Sequence, residues 1–219
     1  MLRLAEVEAV LFDLDGTLVD TEPLWFKAEQ AVAAHFGTVL PEMALAELRG
    51  LDTAALLALL RERYGLQAKG ADFLRALEPA VLSRLDKAPA RPGAKELVEQ
   101  VAALGKARAI VSNSPAKVVA ATLRPHSWAA LIPRRFSVDE VQAGKPAPDL
   151  YHHAAAALGV AAERCVAFED SIAGVTAAVS AGMSCVAITF GEPEAAFAAL
   201  TPWRVASLHE AGRLLITES

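Results

Sequence analysis

The loop Asp13-Leu14-Asp15-Gly16-Thr17 constrains the chain most, because two carboxylates stand directly after the short apolar run Ala9–Phe12. A run of this kind is typical of a fully buried strand. Carboxylates are costly in a core, but they suit the carboxyl edge of an open α/β sheet, where strands end and ligands bind. The loop therefore predicts a functional site at a sheet edge and makes Asp13 and Asp15 candidates for catalysis.

From residue 93 onward, short apolar runs alternate with helical patterns. We predict strands at 107–111, 165–168 and 184–189, with a weaker one at 203–206. Predicted helices occupy 94–104, 117–123, 149–158, 172–181 and 194–200. Alternation of this kind implies an α/β fold whose parallel sheet is covered by helices on both faces.

The segment from about residue 20 to residue 84 breaks this alternation. It has no β-branched run, and its apolar residues recur at helical spacing, with one stripe formed by Leu74, Leu77, Val81, Leu82 and Leu85. We therefore expect a small α-helical insertion at residues 20–86, within a core made of residues 1–19 and 87–219. An inserted helical lid beside an acidic loop could exclude water when it closes.

Composition and charge exclude several partners. The chain has a net charge of −5 and no stripe of Lys and Arg, which argues against nucleic acid or an anionic membrane as the main partner. Two early glutamates and the lack of an 18-residue uncharged apolar segment predict neither a signal peptide nor a membrane span. We read Cys165 and Cys185 as buried, reduced thiols and expect a cytoplasmic protein, a monomer or weak dimer.

Three further loops carry polar groups that complement the first. Val111–Pro115 offers hydroxyl, amide and backbone donors before a helix, Gly144–Asp149 carries a lysine, and Phe168–Ser171 adds a second acidic pair. The combined set is Asp13, Asp15, Glu169 and Asp170 as carboxylates, Lys145 as cation, and Ser112 and Asn113 as donors. Clustered carboxylates need a cation, and hard oxygen ligands favour Mg²⁺. A metal, a lysine and helix N-termini together meet the needs of phosphoryl transfer.

These four loops, in this order, resemble the motifs of the haloacid dehalogenase superfamily. The matching stretches are Asp-Leu-Asp-Gly-Thr-Leu-Val-Asp, Val-Ser-Asn-Ser, Gly-Lys-Pro-Ala-Pro-Asp and Phe-Glu-Asp-Ser-Ile-Ala-Gly, spanning residues 13 to 174. The resemblance implies a Rossmann-like doubly wound sheet and assigns the helical insertion to that family's α-helical cap, as in its phosphatases and β-phosphoglucomutase-like members.

The same resemblance implies a role for each residue that matches a motif. Asp13 would be nucleophile and metal ligand, and Asp15 general acid/base with its backbone carbonyl on the metal. Ser112 and Lys145 would hold the transferring phosphoryl group with support from Asn113, and the amides of Leu14 and Asp15 would complete the phosphate cradle. Asp170 would bind Mg²⁺, with Glu169 a direct or water-mediated ligand.

The choice of reaction depends on residues near the cap. Asp15 argues for phosphoryl transfer to an oxygen leaving group, because dehalogenase and phosphonatase members typically lack the second aspartate. Sugar-phosphate mutases of this type carry a cap histidine where this chain has Trp25. We therefore favour a Mg²⁺-dependent phosphatase acting on a small phosphorylated metabolite. We expect a sugar phosphate as that metabolite, with Glu22, Trp25 and Arg49 as candidate substrate contacts. A β-phosphoglucomutase-like mutase is the alternative, and a non-catalytic binding or regulatory protein is a third reading.

Overall fold

The computed structural model describes residues 6–48, 51, 53–191 and 194–215. The chain forms two compact units. The core unit contains the chain up to Asp20 and from Pro89 onward, and the helical unit is Thr21–Ala88. That the helical unit acts as a cap stays a prediction.

Strands and helices alternate through the core unit, whereas the other unit has only helices among its described elements. The strands are β1 (Ala9–Phe12), β2 (Ala107–Ser112), β3 (Arg134–Ser137), β4 (Cys165–Glu169), β5 (Ser184–Ile188) and β6 (Trp203–Val205). The helices are α1 (Glu22–His35), α2 (Leu45–Leu48), α3 (Thr53–Glu62), α4 (Gly70–Leu82), α5 (Ala94–Ala103), α6 (Ala116–Leu123), α7 (Asp149–Leu158), α8 (Ile172–Ser180), α9 (Ala195–Ala198) and α10 (Leu208–Leu214).

The described strands form one parallel sheet with the order β3-β2-β1-β4-β5-β6. β1 lies in the middle and pairs with both β2 and β4. Its four residues are buried, as the apolar run predicted. The strand order steps outward from β1 in both directions, so the carboxyl end of β1 lies at the switch point where ligands bind in such sheets. The predicted α/β fold with a Rossmann-like sheet is confirmed.

Both faces of the sheet are covered by helices. α7 and α8 pack with each other and over a cluster that includes Leu11, Val111 and Ala167. Because strand side chains alternate, the neighbouring residues of each strand point to the opposite face. α5 and α10 pack together and bury Leu97 and Leu208 there. The strands that lead into the site loops are therefore covered by helices on both faces of the sheet.

The helical unit has its own apolar core. α1 packs against α4, and the buried residues Phe26, Phe73, Leu77 and Val81 lie on these two helices. No helix in the described part of the chain is long and apolar enough to cross a membrane.

Some details differ from the sequence predictions. In the predicted stripe, Leu74 and Leu82 are only half-buried, because the i, i+4 series through Phe73, Leu77 and Val81 defines the buried face of α4. The helix predicted at 194–200 is the shorter α9. β3 and α10 were not predicted. β3 reads Arg-Arg-Phe-Ser and lies at the sheet edge with both arginines exposed, so it lacks the apolar run of a central strand.

A buried carboxyl on α1 makes the stability of the protein depend on pH. Burial raises the pKa of Glu29 from 4.5 to about 7, and the residue is only 7% exposed. Because the folded-state pKa is raised, the unfolded chain ionises first, and stability present below pH 4.5 is lost as pH rises toward 7. As the pH rises from 5 to 8, we expect the free energy of unfolding of the wild type, measured in urea, to fall by about 2 to 3 kcal/mol relative to that of Glu29→Gln. Glu62→Gln, an exposed position of the same unit, should show no such pH-dependent gain.

Candidate active site

Three neighbouring strands end at the same edge of the sheet and deliver the polar loops there. β1 leads into Asp13, β2 ends at Ser112 and β4 ends at Glu169. Because these strands are parallel and adjacent in the order β2-β1-β4, their carboxyl ends meet. The loop before α7 brings Lys145 to the same place, where its ammonium group contacts all three strand ends.

Lys145 is the centre of this cluster. Its Nζ donates to Asp13 Oδ1 at 2.7 Å, to Glu169 Oε1 at 2.5 Å and to the backbone carbonyl of Val111 at 2.7 Å. An ammonium group has three donors, and these acceptors engage all of them. The lysine side chain is 3% exposed, Asp13 9% and Glu169 0%, so the ion pairs are screened little by solvent. The cluster holds the predicted nucleophile beside a fixed positive charge.

The pKa values follow from this burial and pairing. Burial by itself lowers the pKa of Lys145, but the carboxylates of Asp13 and Glu169 together raise it by more than burial lowers it. The pKa of Lys145 therefore lies above its ordinary value. The pKa of Glu169 lies above its ordinary value, mainly because the group is buried and secondly because of the charge of Asp13, while Lys145 opposes both effects. The lysine therefore stays protonated at neutral pH and supplies positive charge to the site.

Asn113 fixes the loop that carries Lys145. Its side-chain amide donates to the backbone carbonyl of Lys145 at 3.0 Å, and its carbonyl oxygen accepts from the backbone amide of Lys145 at 2.8 Å. A Cβ on Gly144 would lie 2.6 Å from Asn113 Oδ1, so the close approach of the two loops requires glycine there. Asn113 thus supports Lys145 through its backbone.

Asp15 has a different set of partners from Asp13. Its Oδ2 accepts from Ser112 Oγ at 3.1 Å and from Ser114 Oγ at 2.8 Å. The backbone amide of Ser114 in turn donates to Ser112 Oγ at 3.0 Å. One carboxylate of the loop is therefore held by a cation and the other by hydroxyl groups.

Three carboxylates lie close enough to hold one metal ion. One oxygen each of Asp13, Glu169 and Asp170 lie within 4.8 Å of one another. Asp170 Oδ1 also accepts from Thr17 Oγ1 at 2.8 Å, and a Cβ on Gly16 would lie 2.4 Å from Asp170 Oδ2. Gly16 has φ of 89°, so both its conformation and this close approach favour glycine. The all-oxygen donor set fits Mg²⁺.

Glu169 also contacts two of the helices that cover the sheet. Tyr151 on α7 donates its hydroxyl to Glu169 Oε1 at 2.6 Å. On α8, a Cβ at Gly174 would lie 1.9 Å from Glu169 Oε2. The helix therefore leaves room for the carboxylate only because residue 174 is glycine.

Gly174→Ala should reduce activity strongly, although alanine favours helices by about 1 kcal/mol over glycine. The added methyl group must displace Glu169, and with it the partner of Lys145. Phosphate release and thermal unfolding measure the effect. Gly212→Ala is the matched control, because that helical Cβ meets the end of the flexible Gln100 side chain at 2.9 Å. An active Gly174→Ala protein would contradict this arrangement.

The structure brings together the predicted residues of the four motifs. All of them belong to the core unit and lie at the carboxyl edge of the sheet, and their catalytic and binding roles stay predictions. These residues are Asp13, Leu14, Asp15, Ser112, Asn113, Lys145, Glu169 and Asp170. Leu14 is fully buried, and its carbonyl accepts from the amides of Leu18 and Val19 in the turn that follows.

The proposed substrate contacts are less well defined. Glu22 and Trp25 lie in the first two turns of α1 in the helical unit, both half-buried. Arg49 lies outside the described residues. Their contact with a substrate stays a prediction.

Sequence reasoning missed Ser114, Tyr151 and Thr17. Ser114 was visible as the hydroxyl residue next to Asn113, but the hydrogen bond to Asp15 depends on the loop conformation. Tyr151 resembled one more apolar residue of a core helix. Thr17 lies inside the first motif, and only the fold brings it to Asp170, 153 residues away.

The chain is similar to known proteins along most of its length. A model described as haloacid dehalogenase-like hydrolase matches residues 7–182. A phosphorylated carbohydrates phosphatase from Thermotoga maritima is 33% identical over 180 residues, covering 81% of this chain and 82% of its own. The structure of CbbY from Rhodobacter sphaeroides in complex with phosphate is 28% identical with a TM-score of 0.80, covering 94% of this chain and 98% of that one. A putative β-phosphoglucomutase from Thermotoga maritima is also 28% identical, with a TM-score of 0.78 over 96% and 99%.

Proposed function

This chain belongs to the haloacid dehalogenase-like hydrolases and is a phosphatase of that family, and we propose that it hydrolyses small sugar phosphates through a phosphoryl group carried on Asp13. The observation that carries the mechanism is the contrast between two carboxylates of one loop. Asp13 is paired with the buried Lys145, whereas Asp15 is held by the hydroxyls of Ser112 and Ser114. Carboxylates in such different surroundings suit different catalytic roles.

Asp13 is the nucleophile in this proposal. Its carboxylate, which is paired with the buried ammonium group of Lys145, attacks phosphorus while the bond from phosphorus to the sugar oxygen breaks. Asp15 gives a proton to the departing sugar oxygen and then takes one from the water that attacks the aspartyl-phosphate. Phosphate leaves and both carboxyl groups return to their starting states.

This chain balances charge on the transferring group, and a bound metal would add to that balance. Lys145 would exchange one of its present acceptors for a phosphoryl oxygen, and Ser112 donates to another. Asn113 keeps the lysine loop in place, and the amides of Leu14 and Asp15 complete the cradle. Asp13, Glu169, Asp170 and the backbone carbonyl of Asp15 would hold Mg²⁺. The bound metal would neutralise charge on the phosphoryl oxygens, as divalent cations do in phosphoryl transfer.

A phosphorylated carbohydrate is the substrate class that the comparisons support. The Thermotoga maritima relative is named for that activity. We propose that Glu22, Trp25 and Arg49 contact the sugar, that the helical unit at residues 20–86 serves as the cap, and that the enzyme acts in the cytoplasm as a monomer or weak dimer.

Two alternatives are less well supported. The mutase is not favoured, because the Thermotoga maritima relative is named a phosphatase and a tryptophan stands at residue 25, where such mutases carry histidine. The reading as a non-catalytic binding or regulatory protein is set aside, because the chain is an enzyme of this family.

The test is phosphate release from a panel of sugar phosphates and p-nitrophenyl phosphate, with and without Mg²⁺. The proposal predicts Mg²⁺-dependent release, fastest for one or a few sugar phosphates. Conversion of β-glucose 1-phosphate to glucose 6-phosphate with a bisphosphate primer, without net phosphate release, would instead establish a mutase.

A further inference from the structure

Ser114 is a residue of the loop after β2 that contacts Asp15, and its part in proton transfer goes beyond the proposed function. Its hydroxyl donates to Asp15 Oδ2 at 2.8 Å, which is shorter than the 3.1 Å bond from Ser112 to the same oxygen. Ser114 comes directly before the proline that precedes α6, and its own amide is fixed by a hydrogen bond to Ser112 Oγ. The two serines and Asp15 therefore form a closed set of hydrogen bonds.

Ser112 cannot keep its bond to Asp15 while it holds a phosphoryl group. A serine hydroxyl has one hydrogen to donate, so it serves one acceptor at a time. When Ser112 donates to a phosphoryl oxygen, as the proposed function requires, its donation to Asp15 Oδ2 ends. Ser114 then remains as the hydroxyl that holds this oxygen.

We infer that Ser114 is a positioning residue that fixes the rotation of the Asp15 carboxyl group during proton transfer. With Oδ2 held by Ser114, the other oxygen, Oδ1, is the one that carries the proton to the leaving oxygen. In this step the bond between phosphorus and the leaving oxygen breaks, that oxygen keeps the electron pair, and it takes the proton from Oδ1. The inference rests on the proposed function of Asp15 as general acid.

Leaving groups differ in how much they need that proton. A sugar oxygen is a poor leaving group without protonation, whereas p-nitrophenolate leaves as a stable anion. General acid catalysis contributes about 10² to 10⁴-fold. The value of kcat/KM covers only the steps up to release of the leaving group, so in kcat/KM a residue that orients the acid should matter for sugar phosphates and hardly at all for p-nitrophenyl phosphate. Hydrolysis of the aspartyl-phosphate, in which Asp15 acts as base, is common to both substrates and enters only kcat.

The experiment compares kcat and KM of wild type, Ser114→Ala and Ser114→Thr on the best sugar phosphate of the panel and on p-nitrophenyl phosphate. For Ser114→Ala we expect kcat/KM on the sugar phosphate to fall by about 10 to 100-fold, and kcat/KM on p-nitrophenyl phosphate to stay near wild type. Ser114→Thr keeps the hydroxyl and should restore the sugar phosphate rate. Asp15→Asn removes the acid altogether. It therefore shows the largest change in the ratio of the two kcat/KM values that loss of the acid can produce.

The ratio of the two kcat/KM values within one protein preparation does not depend on how much of it is folded. An unchanged ratio for Ser114→Ala would overturn the inference. A further fall in kcat/KM for the sugar phosphate when Ser114→Ala is added to Asp15→Asn would also overturn it, because Ser114 would then act in binding and not through Asp15. If the wild type releases phosphate from no substrate, the proposed function itself fails, which is a distinct result.

Discussion

Replacing Asp13 with asparagine should abolish phosphate release while the protein stays folded. The substitution removes the nucleophile, and loss of a nucleophile in a concerted site lowers kcat by orders of magnitude, here at least about 10³-fold. Folding should persist because Lys145 keeps Glu169 and the carbonyl of Val111 as partners. Phosphate release under saturating Mg²⁺ and a thermal unfolding curve measure the two effects.

The matched control for this substitution is Asp72→Asn. Asp72 lies on α4, is 46% exposed and forms a surface pair with Arg75, so the same chemical change there should leave activity near wild type. An Asp13→Asn protein that retained a tenth or more of wild-type activity, in a preparation shown to be homogeneous, would remove Asp13 from the role of nucleophile.

Lys145→Met should be the most destabilising single change in the site. It leaves Asp13 and Glu169 buried without their cation, and breaking a buried ion pair from one side typically costs about 3 to 5 kcal/mol. The free energy of unfolding, measured in urea at pH 7 without divalent cations, should fall by that amount. Activity should be lost as well, because the phosphoryl group loses its fixed positive charge.

A second substitution separates charge from packing in this cluster. Adding Glu169→Gln to Lys145→Met removes one of the two carboxylates and should recover part of the lost stability. Lys95→Met is the control, since Lys95 is 58% exposed and lies 3.9 Å from Glu99, a pair of the kind that contributes little. A Lys145→Met protein as stable as the Lys95→Met protein would contradict the picture of a buried, charge-balanced cluster.

The fold and most of the site could be predicted because both depend on local sequence. An apolar run such as Ala9–Phe12 predicts a buried strand, and a polar loop after it predicts a position at the sheet edge. Loops that follow strands β1, β2 and β4 were therefore expected to converge. Helix ends are also local: a glycine readily adopts the left-handed conformation that ends a helix, as Gly159 does after α7 with φ of 69°.

What escaped prediction depends on long-range geometry. β3 is an edge strand whose exposed arginines hide the strand pattern. The partners Ser114–Asp15 and Tyr151–Glu169 join residues far apart in sequence, so spacing could not reveal them. The candidate substrate contacts on α1 depend on position in the family alone. Local periodicity does not predict whether their side chains point toward a ligand.

The measurement that tests the central claim most directly is mass spectrometry of the protein quenched in acid during turnover of its best sugar phosphate. The account predicts one phosphoryl group on the peptide that contains Asp13, which disappears as the substrate is exhausted and is absent from Asp13→Asn. Steady phosphate release with that peptide unmodified under the same quench, and with Asp13→Asn still active, would contradict it.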